Sequence, residues 1–418
     1  MFKSAYFRIM QWILPLFFLF YFTLDFYAFQ AFRSLSKAKL TIYIYWALSL
    51  FLILSVVSDQ IFMSGSMYEN PWRMILYSLV LVMVVTKIFL ALGMFLEDSY
   101  RIGVAIYQKL TGKPRDRYIP SRRKFVATMA IGLAALPFST LLYGMIRGRY
   151  DFRVLKYELT FDDLPEAFDG YTLTQFSDLH LGSWNNKKEF AYAMELINEQ
   201  ESDTILFTGD LVNDVVGETK RWKSLMSTLR ARDGVYSVLG NHDYGDYHRW
   251  PSKEEKAENL EQLKKVQAEV GWKLLNNEHV YLERDGQRIA LVGVENWGNG
   301  NFKKAGDLDK ATEGLQDADF KILMSHDPTH WDYHVKEYPS KYHITLSGHT
   351  HGMQYGIEIP GFIRWSPSQF RYEHWAGLYK ENNRYLNVNR GLGVIGFSGR
   401  FGVWPEVTVI KLKRKTTA

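Results

Sequence analysis

Four apolar stretches crowd the first 150 residues, and each is long enough to cross a bilayer. Crossing about 30 Å of hydrocarbon at ~1.5 Å per residue takes roughly 20 apolar residues. The stretches run over about Trp12–Phe32, Leu40–Phe62, Trp72–Leu96 and Phe125–Ile146. A backbone in lipid must satisfy its own hydrogen bonds, which leaves helices as the form such stretches take. A membrane domain of about four transmembrane helices over 1–150 is therefore expected, followed by a second domain over 151–418. Asp25 and Lys87 interrupt the first and third stretches. Charged residues at that depth face other helices or water. An interhelical contact is the favoured reading over a proton path, and the low internal polarity of the stretches argues against transport.

Charge divides the chain in the same place. Up to Lys156 there are 19 Lys and Arg against 7 Asp and Glu, and beyond it 31 against 38. A mildly acidic second half argues against nucleic-acid binding, which needs clustered cations to displace counterions. The basic residues of the first half sit in loops. Arg101, Lys109, Lys113, Arg115, Arg117, Arg122, Arg123 and Lys124 lie between the third and fourth stretches, and Arg33, Lys37 and Lys39 between the first and second. Loops rich in Lys and Arg stay cytoplasmic, so the second half is expected outside the cytoplasmic membrane. Arg147, Arg149, Arg153 and Lys156 argue weakly for the opposite orientation. The run Ser121–Phe125 has the form of a twin-arginine export signal and equally that of a plain cationic flank; both send the second half outward. Residues Asp98–Leu110 form a candidate interfacial helix. No cysteine occurs, which excludes disulfides, cysteine–zinc sites and thiol catalysis.

From about Asp151 short β-rich runs alternate with helical ones. Strands are expected at Val154–Phe161, Tyr171–Phe176, Thr204–Thr208, Val235–Leu239, Phe320–Met324, His343–Leu346, Tyr385–Val388 and Val407–Leu412. A hairpin is expected from Val280–Glu283 and Arg288–Val294 about Asp285-Gly286. Helices are expected at Lys187–Gln200, Glu218–Arg232 and Ser252–Val270. This order points to an α/β sandwich with sheets inside and helices outside.

Five polar clusters follow strand ends: Asp178-Leu179-His180, Gly209-Asp210, Gly240-Asn241-His242-Asp243, Ser325-His326-Asp327 and Gly348-His349-Thr350-His351-Gly352. Open α/β sheets place ligand sites at that edge. Residues i and i+2 of a strand share a face, so Asp178 with His180, and His349 with His351, can address one site if strand geometry persists. Mixed carboxylate, imidazole and amide donors suit Mn, Fe, Zn or similar divalent ions. Ordinary turn residues would need five coincidences to give this pattern.

These residues resemble the calcineurin-like metallophosphoesterase superfamily, in particular its membrane-tethered bacterial members, from about Tyr171 to the end of the chain. The resemblance implies a double β-sandwich flanked by helices and a site for two divalent metals. It implies one metal on Asp178, His180, Asp210 and His351, and another on Asp210, Asn241, His326 and His349, with Asp210 bridging. It further implies His242 as the non-ligand histidine beside the leaving group, with Asp243 as its orienting partner, and a bridging hydroxide as nucleophile. The protein phosphatases of the superfamily carry Asp-Arg-Gly after their Gly-Asp; this chain reads Leu211-Val212-Asn213-Asp214, which disfavours that activity. The expected function is hydrolysis of a membrane-associated or extracytoplasmic phosphoester (phosphodiesterase chemistry included, with manganese as one candidate metal). A lipid-linked pyrophosphatase is one alternative. A receptor or scaffold on a retired phosphoesterase fold is another, which missing ligands would signal; none is missing.

Several residues have a plainer reading. His330 and His334 stand four apart but are expected to be ordinary helix residues, and His343 a structural one. His248, His279 and His374 carry no motif. Phe362–Trp375 is rich in aromatics, with loop packing favoured over an interfacial loop at the bilayer. Asn389-Arg390-Gly391-Leu392-Gly393, Gly399-Arg400 and Pro405-Glu406 resemble the C-terminal signature of the tethered subgroup. Arg390 or Arg400 is expected either to contact phosphate or to pair with an acidic residue.

Overall fold

A computed structural model describes residues 2–62, 68, 70–112, 120–359 and 361–415. Lys113, Arg115 and Arg117 of the basic loop lie outside the described residues, as do the side chains of the first apolar stretch up to residue 18. The chain divides into two compact units, Met1–Ser64 with Ile75–Leu142, and Gly65–Met74 with Tyr143–Ala418.

The first unit is built from helices α1 (Phe2–Leu35), α2 (Lys39–Phe62), α3 (Pro71–Thr111) and α4 (Pro120–Ile146). Among the described residues, Lys39–Phe62, Trp72–Thr111 and Ser121–Tyr150 are long and apolar enough to cross a membrane. The candidate interfacial helix at Asp98–Leu110 is no separate element; it continues α3 without a break. Asp25 and Lys87 are both buried and pair at 3.0 Å. Lys87 also donates to the Tyr21 hydroxyl (2.9 Å) and to Ser49 Oγ (2.8 Å), and the Tyr45 hydroxyl donates to Asp25 Oδ1 (2.5 Å). The cluster thus joins α1, α2 and α3. Arg123, in the first turns of α4, pairs with Glu97 (2.9 Å) and Asp98 (2.5 Å) of α3.

The second unit has two six-stranded sheets. Its strands are β1 (Arg153–Phe161), β2 (Thr172–Phe176), β3 (Thr204–Phe207), β4 (Val235–Ser237), β5 (Trp272–Leu274), β6 (Glu278–Arg284), β7 (Gln287–Gly293), β8 (Lys321–Met324), β9 (Ile344–Ser347), β10 (Ile357–Ile359), β11 (Ile363–Trp365), β12 (Gly377–Glu381), β13 (Arg384–Val388) and β14 (Glu406–Arg414). One sheet has the order β1-β14-β2-β3-β4-β5, the other β12-β13-β9-β8-β7-β6, and β10 and β11 form a separate hairpin. The side-chain alternation of each central strand feeds two cores. In β3, Leu206 enters the core between the sheets, while Ile205 and Phe207 enter the core under α5 (Lys187–Asn198) and α7 (Lys253–Glu269). In β8, Ile322 and Met324 enter the inter-sheet core, and Leu323 packs outward with Trp331, Val335 and α8 (Leu308–Ala311). The result is the expected sandwich with helices outside.

Both long outer helices start where the sequence places a cap. Asn186 accepts from the amides of Lys188 and Glu189, and Ser252 from that of Glu255, satisfying donors that a helix start leaves open. The helix expected over Glu218–Arg232 is instead a 3₁₀ turn at Val216–Arg221 and a short α6 (Lys223–Met226). Tertiary demands override propensity there. The Glu218 carboxylate accepts from the amides of Gly182, Asn213, Asp214 and Val215, and Trp222 turns inward to donate to the Leu181 carbonyl (3.1 Å).

A polar strap crosses between the sheets below one end. Gln175 of β2 donates to Thr208 Oγ1 (3.1 Å) and the Ser347 carbonyl (2.9 Å), and accepts from Asn387 of β13 (2.7 Å). Asn389 donates to Thr408 Oγ1 of β14 (3.0 Å). These bonds hold the ends of β2, β9, β13 and β14 together where the five clusters emerge.

Candidate metal centre

The clusters leave the ends of β2, β3 and β4 in one sheet and β8 and β9 in the other. Each set of strands is parallel, so their loops meet at one edge. Asp178, His180 and His351 bring one donor atom each within 4.8 Å of one another, and so do Asp210, His326 and His349. All six are buried or nearly so.

Strand alternation does not produce this convergence, contrary to the expectation. Asp178, His180, Asp210, His349 and His351 all have positive φ, between 44° and 72°. Left-handed backbone at a residue with a side chain costs about 1–3 kcal/mol and persists only where the surroundings impose it. Here the surroundings are tight. A Cβ on Gly240 would lie 2.2 Å from Asp210 Oδ1, and one on Gly348 would lie 2.0 Å from Ser177 Oγ. The glycines thus let neighbouring loops close onto the strained turns.

The donor atoms face each other with nothing of the protein between them. Asp210 Oδ2 lies 3.1 Å from His326 Nε2 and 3.6 Å from His180 Nε2. His351 Nε2 lies 3.2 Å from Asp178 Oδ1 and 3.0 Å from His180 Nε2. His326 Nδ1 is taken up by the Thr208 carbonyl (2.7 Å), which puts the proton there and turns the Nε2 lone pair toward Asp210. Two lone-pair atoms at such distances repel unless a cation or a proton lies between them. Burial disfavours charge on His326, but the Asp210 carboxylate outweighs it and pushes the imidazole up to about 10. Burial likewise opposes ionisation of Asp210, and His326, His242 and His180 overcome it and hold that carboxyl well below the ordinary range. Asn241 gives its amide N–H to the Tyr247 hydroxyl (2.9 Å), while its buried Oδ1 has no hydrogen-bond partner. Buried unpaired polar atoms are costly. Their gathering here, on carboxylate, imidazole and amide groups, fits divalent metal ions.

Asp210 occupies the middle position. Its Oδ1 accepts from the His242 amide (2.8 Å), so Oδ2 is the atom that faces both donor groups. His242 is partly exposed and lies edge-on to His180, 4.9 Å between ring centres. Its Nδ1 pairs with the Asn213 carbonyl at 2.6 Å, which leaves Nε2 to the open side. Asp243 is not its orienting partner, which corrects the expectation. The Asp243 carboxylate points the other way and accepts from the amides of Asp210 (3.0 Å), Leu211 (2.8 Å), Val212 (3.3 Å) and Gly240 (2.9 Å). It stitches the loops that carry Asp210 and Asn241 together, and burial with the neighbouring Asp210 charge raises it to about 7.

Three neighbours of the site have roles that the motifs did not give. Asp327 Oδ2 lies 3.3 Å from His349 Nε2, and the Tyr372 hydroxyl lies 2.9 Å from the same atom. Both engage Nε2 and leave His349 Nδ1 as the candidate donor atom, and a carboxylate behind an imidazole fixes its orientation. Arg400, fully buried, reaches His351 Nδ1 (3.0 Å) and the carbonyls of Arg390 and Gly393. Arg390 pairs with Glu358 (2.8 Å) and Glu406, so the acidic-partner reading applies to it. His330 and His334 pack around Trp297, and His330 pairs with Ser325. His343 bonds the Lys321 amide and Asp163. All three histidines have the structural roles expected of them.

Known proteins share both halves. The family described as "Calcineurin-like phosphoesterase" matches residues 171–353, and that described as "Probable Calcineurin-like phosphoesterase, transmembrane domain" matches residues 10–149. An uncharacterized metallophosphoesterase of Bacillus subtilis, YkuE, is 30% identical over 253 residues, covering 60% of this chain and 82% of that protein. A transmembrane protein with metallophosphoesterase domain from Danio rerio is 26% identical, over 65% of this chain and 60% of the other. The UDP-2,3-diacylglucosamine pyrophosphatase LpxG of Chlamydia trachomatis is 27% identical, over 60% of this chain and 86% of the other.

Proposed function

The chain belongs to the calcineurin-like metallophosphoesterase family and is a membrane protein with hydrolase machinery, and from that premise we propose that it hydrolyses a lipid-linked phosphoester or pyrophosphate with two divalent metals. Residues 1–150 act as anchor and 151–418 as the catalytic domain, placed outside the cytoplasmic membrane by the positive-inside pattern. The observation that carries the reading is the two buried donor groups, with Asp210 Oδ2 facing His326 of one and His180 of the other. Asp178, His180, Asp210 and His351 would hold one ion, and Asp210, Asn241, His326 and His349 the other. Bound there, such ions supply charge to clamp phosphoryl oxygens and lower the pKa of a water.

The protein's own groups do the rest. The strained turns hold the donors in place before substrate arrives. His242, tethered through Nδ1, presents Nε2 to the open side and can protonate a departing alkoxide or phosphate. Asp327 and Tyr372 fix His349, and Asp243 holds the loops that carry Asp210 and Asn241.

The preference for a lipid-linked substrate, and the pyrophosphatase version of it, rests on the membrane domain and on the similarity to LpxG. Stripping the purified protein, reloading it with Mn, Zn or Fe, and assaying chromogenic mono- and diesters beside lipid-linked pyrophosphates tests it. Turnover with at least one metal is expected, fastest on the lipid substrates. No turnover at full metal occupancy would favour the receptor or scaffold reading instead.

A further inference from the structure

The hairpin of β10 and β11 is patterned inside out. Its register pairs Ile357 with Trp365, Glu358 with Arg364, and Ile359 with Ile363. Alternation puts Glu358 and Arg364 on one face and the four apolar residues on the other. In a sheet packed on its own domain the apolar face turns inward. Here the polar face is the one tied to the domain, with Glu358 half-buried and Arg364 still 37% exposed. Glu358 is held by Arg390, itself buried against Glu406, and the Arg364 guanidinium lies over the rings of Trp375 (4.9 Å) and Tyr379 (5.0 Å). The outward residues are open: Ile357 is 45% exposed, Ile359 51%, Ile363 39%, and Phe362 at the tip 84%. Phe370, nearby in sequence, is 81% exposed. Arg390, buried against Glu406, anchors Glu358 and so sets the orientation of the hairpin.

The base of the hairpin adjoins the end of a membrane-crossing helix within the same compact unit. The last turn of α4, from Tyr143, belongs to the second unit. There the Gly144 carbonyl accepts from the Arg400 amide (3.1 Å). The next residue, Phe401, accepts from the Gly356 amide and donates to the Gln354 carbonyl, each at 2.9 Å, and its ring stands edge-on to Tyr143. One short segment thus bridges the exit of the helix and the first residue before β10. Arg147 and Arg371 are exposed cations on the flanking segments. Contiguous exposed apolar surface marks an interaction site, and aliphatic and aromatic side chains rimmed by Arg suit the headgroup–acyl boundary of an anionic bilayer.

We propose that the hairpin is an interfacial membrane contact: Ile357, Ile359, Phe362 and Ile363 enter the surface of the bilayer that α4 crosses. The hairpin lies in the loop between His351 and Tyr372, both at the metal centre. Seating it in lipid brings that centre beside the headgroups. The contact rests on the membrane-spanning reading and is independent of the reaction, so it can stand or fall without it.

The test uses the full chain in vesicles of phosphatidylcholine and phosphatidylglycerol. Because the chain has no cysteine, Phe362→Cys offers one site for an environment-sensitive fluorophore, and Asp285→Cys, on an exposed turn of the same unit, is the control. Position 362 should sit about 5–10 Å into the boundary, so nitroxide-bearing phosphatidylcholine should remove most of its emission and leave position 285 bright. Equal quenching at the two positions overturns the proposal. So does a label at 362 that is untouched by nitroxide lipid but self-quenches as protein density rises, which would assign the face to a second copy of the chain.

Discussion

The two units each bury a polar cluster, and they close it in opposite ways. In the membrane unit Lys87 meets Asp25, Tyr21 and Ser49, and Tyr45 completes the carboxylate. Among the described residues of that unit no buried side-chain polar atom lacks a partner. In the phosphoesterase unit His326 Nε2, His180 Nδ1 and Asn241 Oδ1 are buried without hydrogen-bond partners. The cost of burying such groups is the same in kind. A closed cluster has spent its capacity on neighbouring helices and holds structure. An open one keeps capacity for a ligand. The presence of charge inside the fold therefore says little about function until the partners are counted.

Substitutions can break this contrast, beginning with the largest effect. Asp210→Asn removes the charge shared by both donor groups. Bound metal, read by elemental analysis, should be lost, and activity should fall further than the about 10²–10⁴-fold carried by an acid–base group. Two metals retained in that variant would remove the bridging role. His242→Ala should keep its metal and lose about 10²–10⁴-fold in turnover, with the smallest loss on esters whose leaving group needs no proton; wild-type rates on every ester would refute the assignment.

The closed cluster should respond differently. Lys87→Met leaves Asp25 buried without its cation and should cost about 3–5 kcal/mol, read as a drop in the unfolding midpoint in detergent. The double variant Asp25→Leu, Lys87→Met should recover most of that loss, and metal content should not change in either. If the single variant were as stable as wild type, the cluster would not be structural. Asp327→Ala tests the margin of the open site. Metal affinity should weaken by about 10–100-fold, measured by titration after chelation, with His242-dependent leaving-group behaviour intact.

The smallest expected effect concerns acid. Burial holds His330 at about 3, below the ordinary 6.5. It stays neutral in the fold and takes up a proton on unfolding, so the unfolded state binds more protons between those values. The stability it contributes is complete above about pH 6.5 and is lost as pH falls toward 3. His330→Gln should make the pH dependence of unfolding shallower over that window; an unchanged slope would show that other groups set it.

Much of the molecule was legible before folding was considered. Hydropathy marks the stretches that become α2, α3 and α4, because lipid admits few backbone forms. Most strands stand within a residue or two of their expected ends. The short β5 and the strands β10, β11 and β12 were not foreseen. They are brief, and their pairing partners rather than their own residues define them. The seven candidate ligands were named from motif alone and are brought to one edge, because loops after parallel strands in two facing sheets must meet there.

Other features needed the tertiary structure. Local sequence does not show that Asp178, His180, Asp210, His349 and His351 adopt left-handed backbone, since neighbouring loops, not the residues, impose it. The resemblance implied Asp243 as the partner of His242, but a 3₁₀ turn sends consecutive side chains apart and gives that place to the Asn213 carbonyl. Propensity promised a helix after Glu218, which four amides hold in a loop instead. The hairpin of β10 and β11 was not foreseen, and only contacts to Arg390, Trp375 and Tyr379 tie its polar face to the domain. The sequence by itself determined which groups stand as candidate ligands and that the chain meets a membrane. The fold decided which lone pairs are left open, because satisfaction of a buried group depends on neighbours distant in the chain.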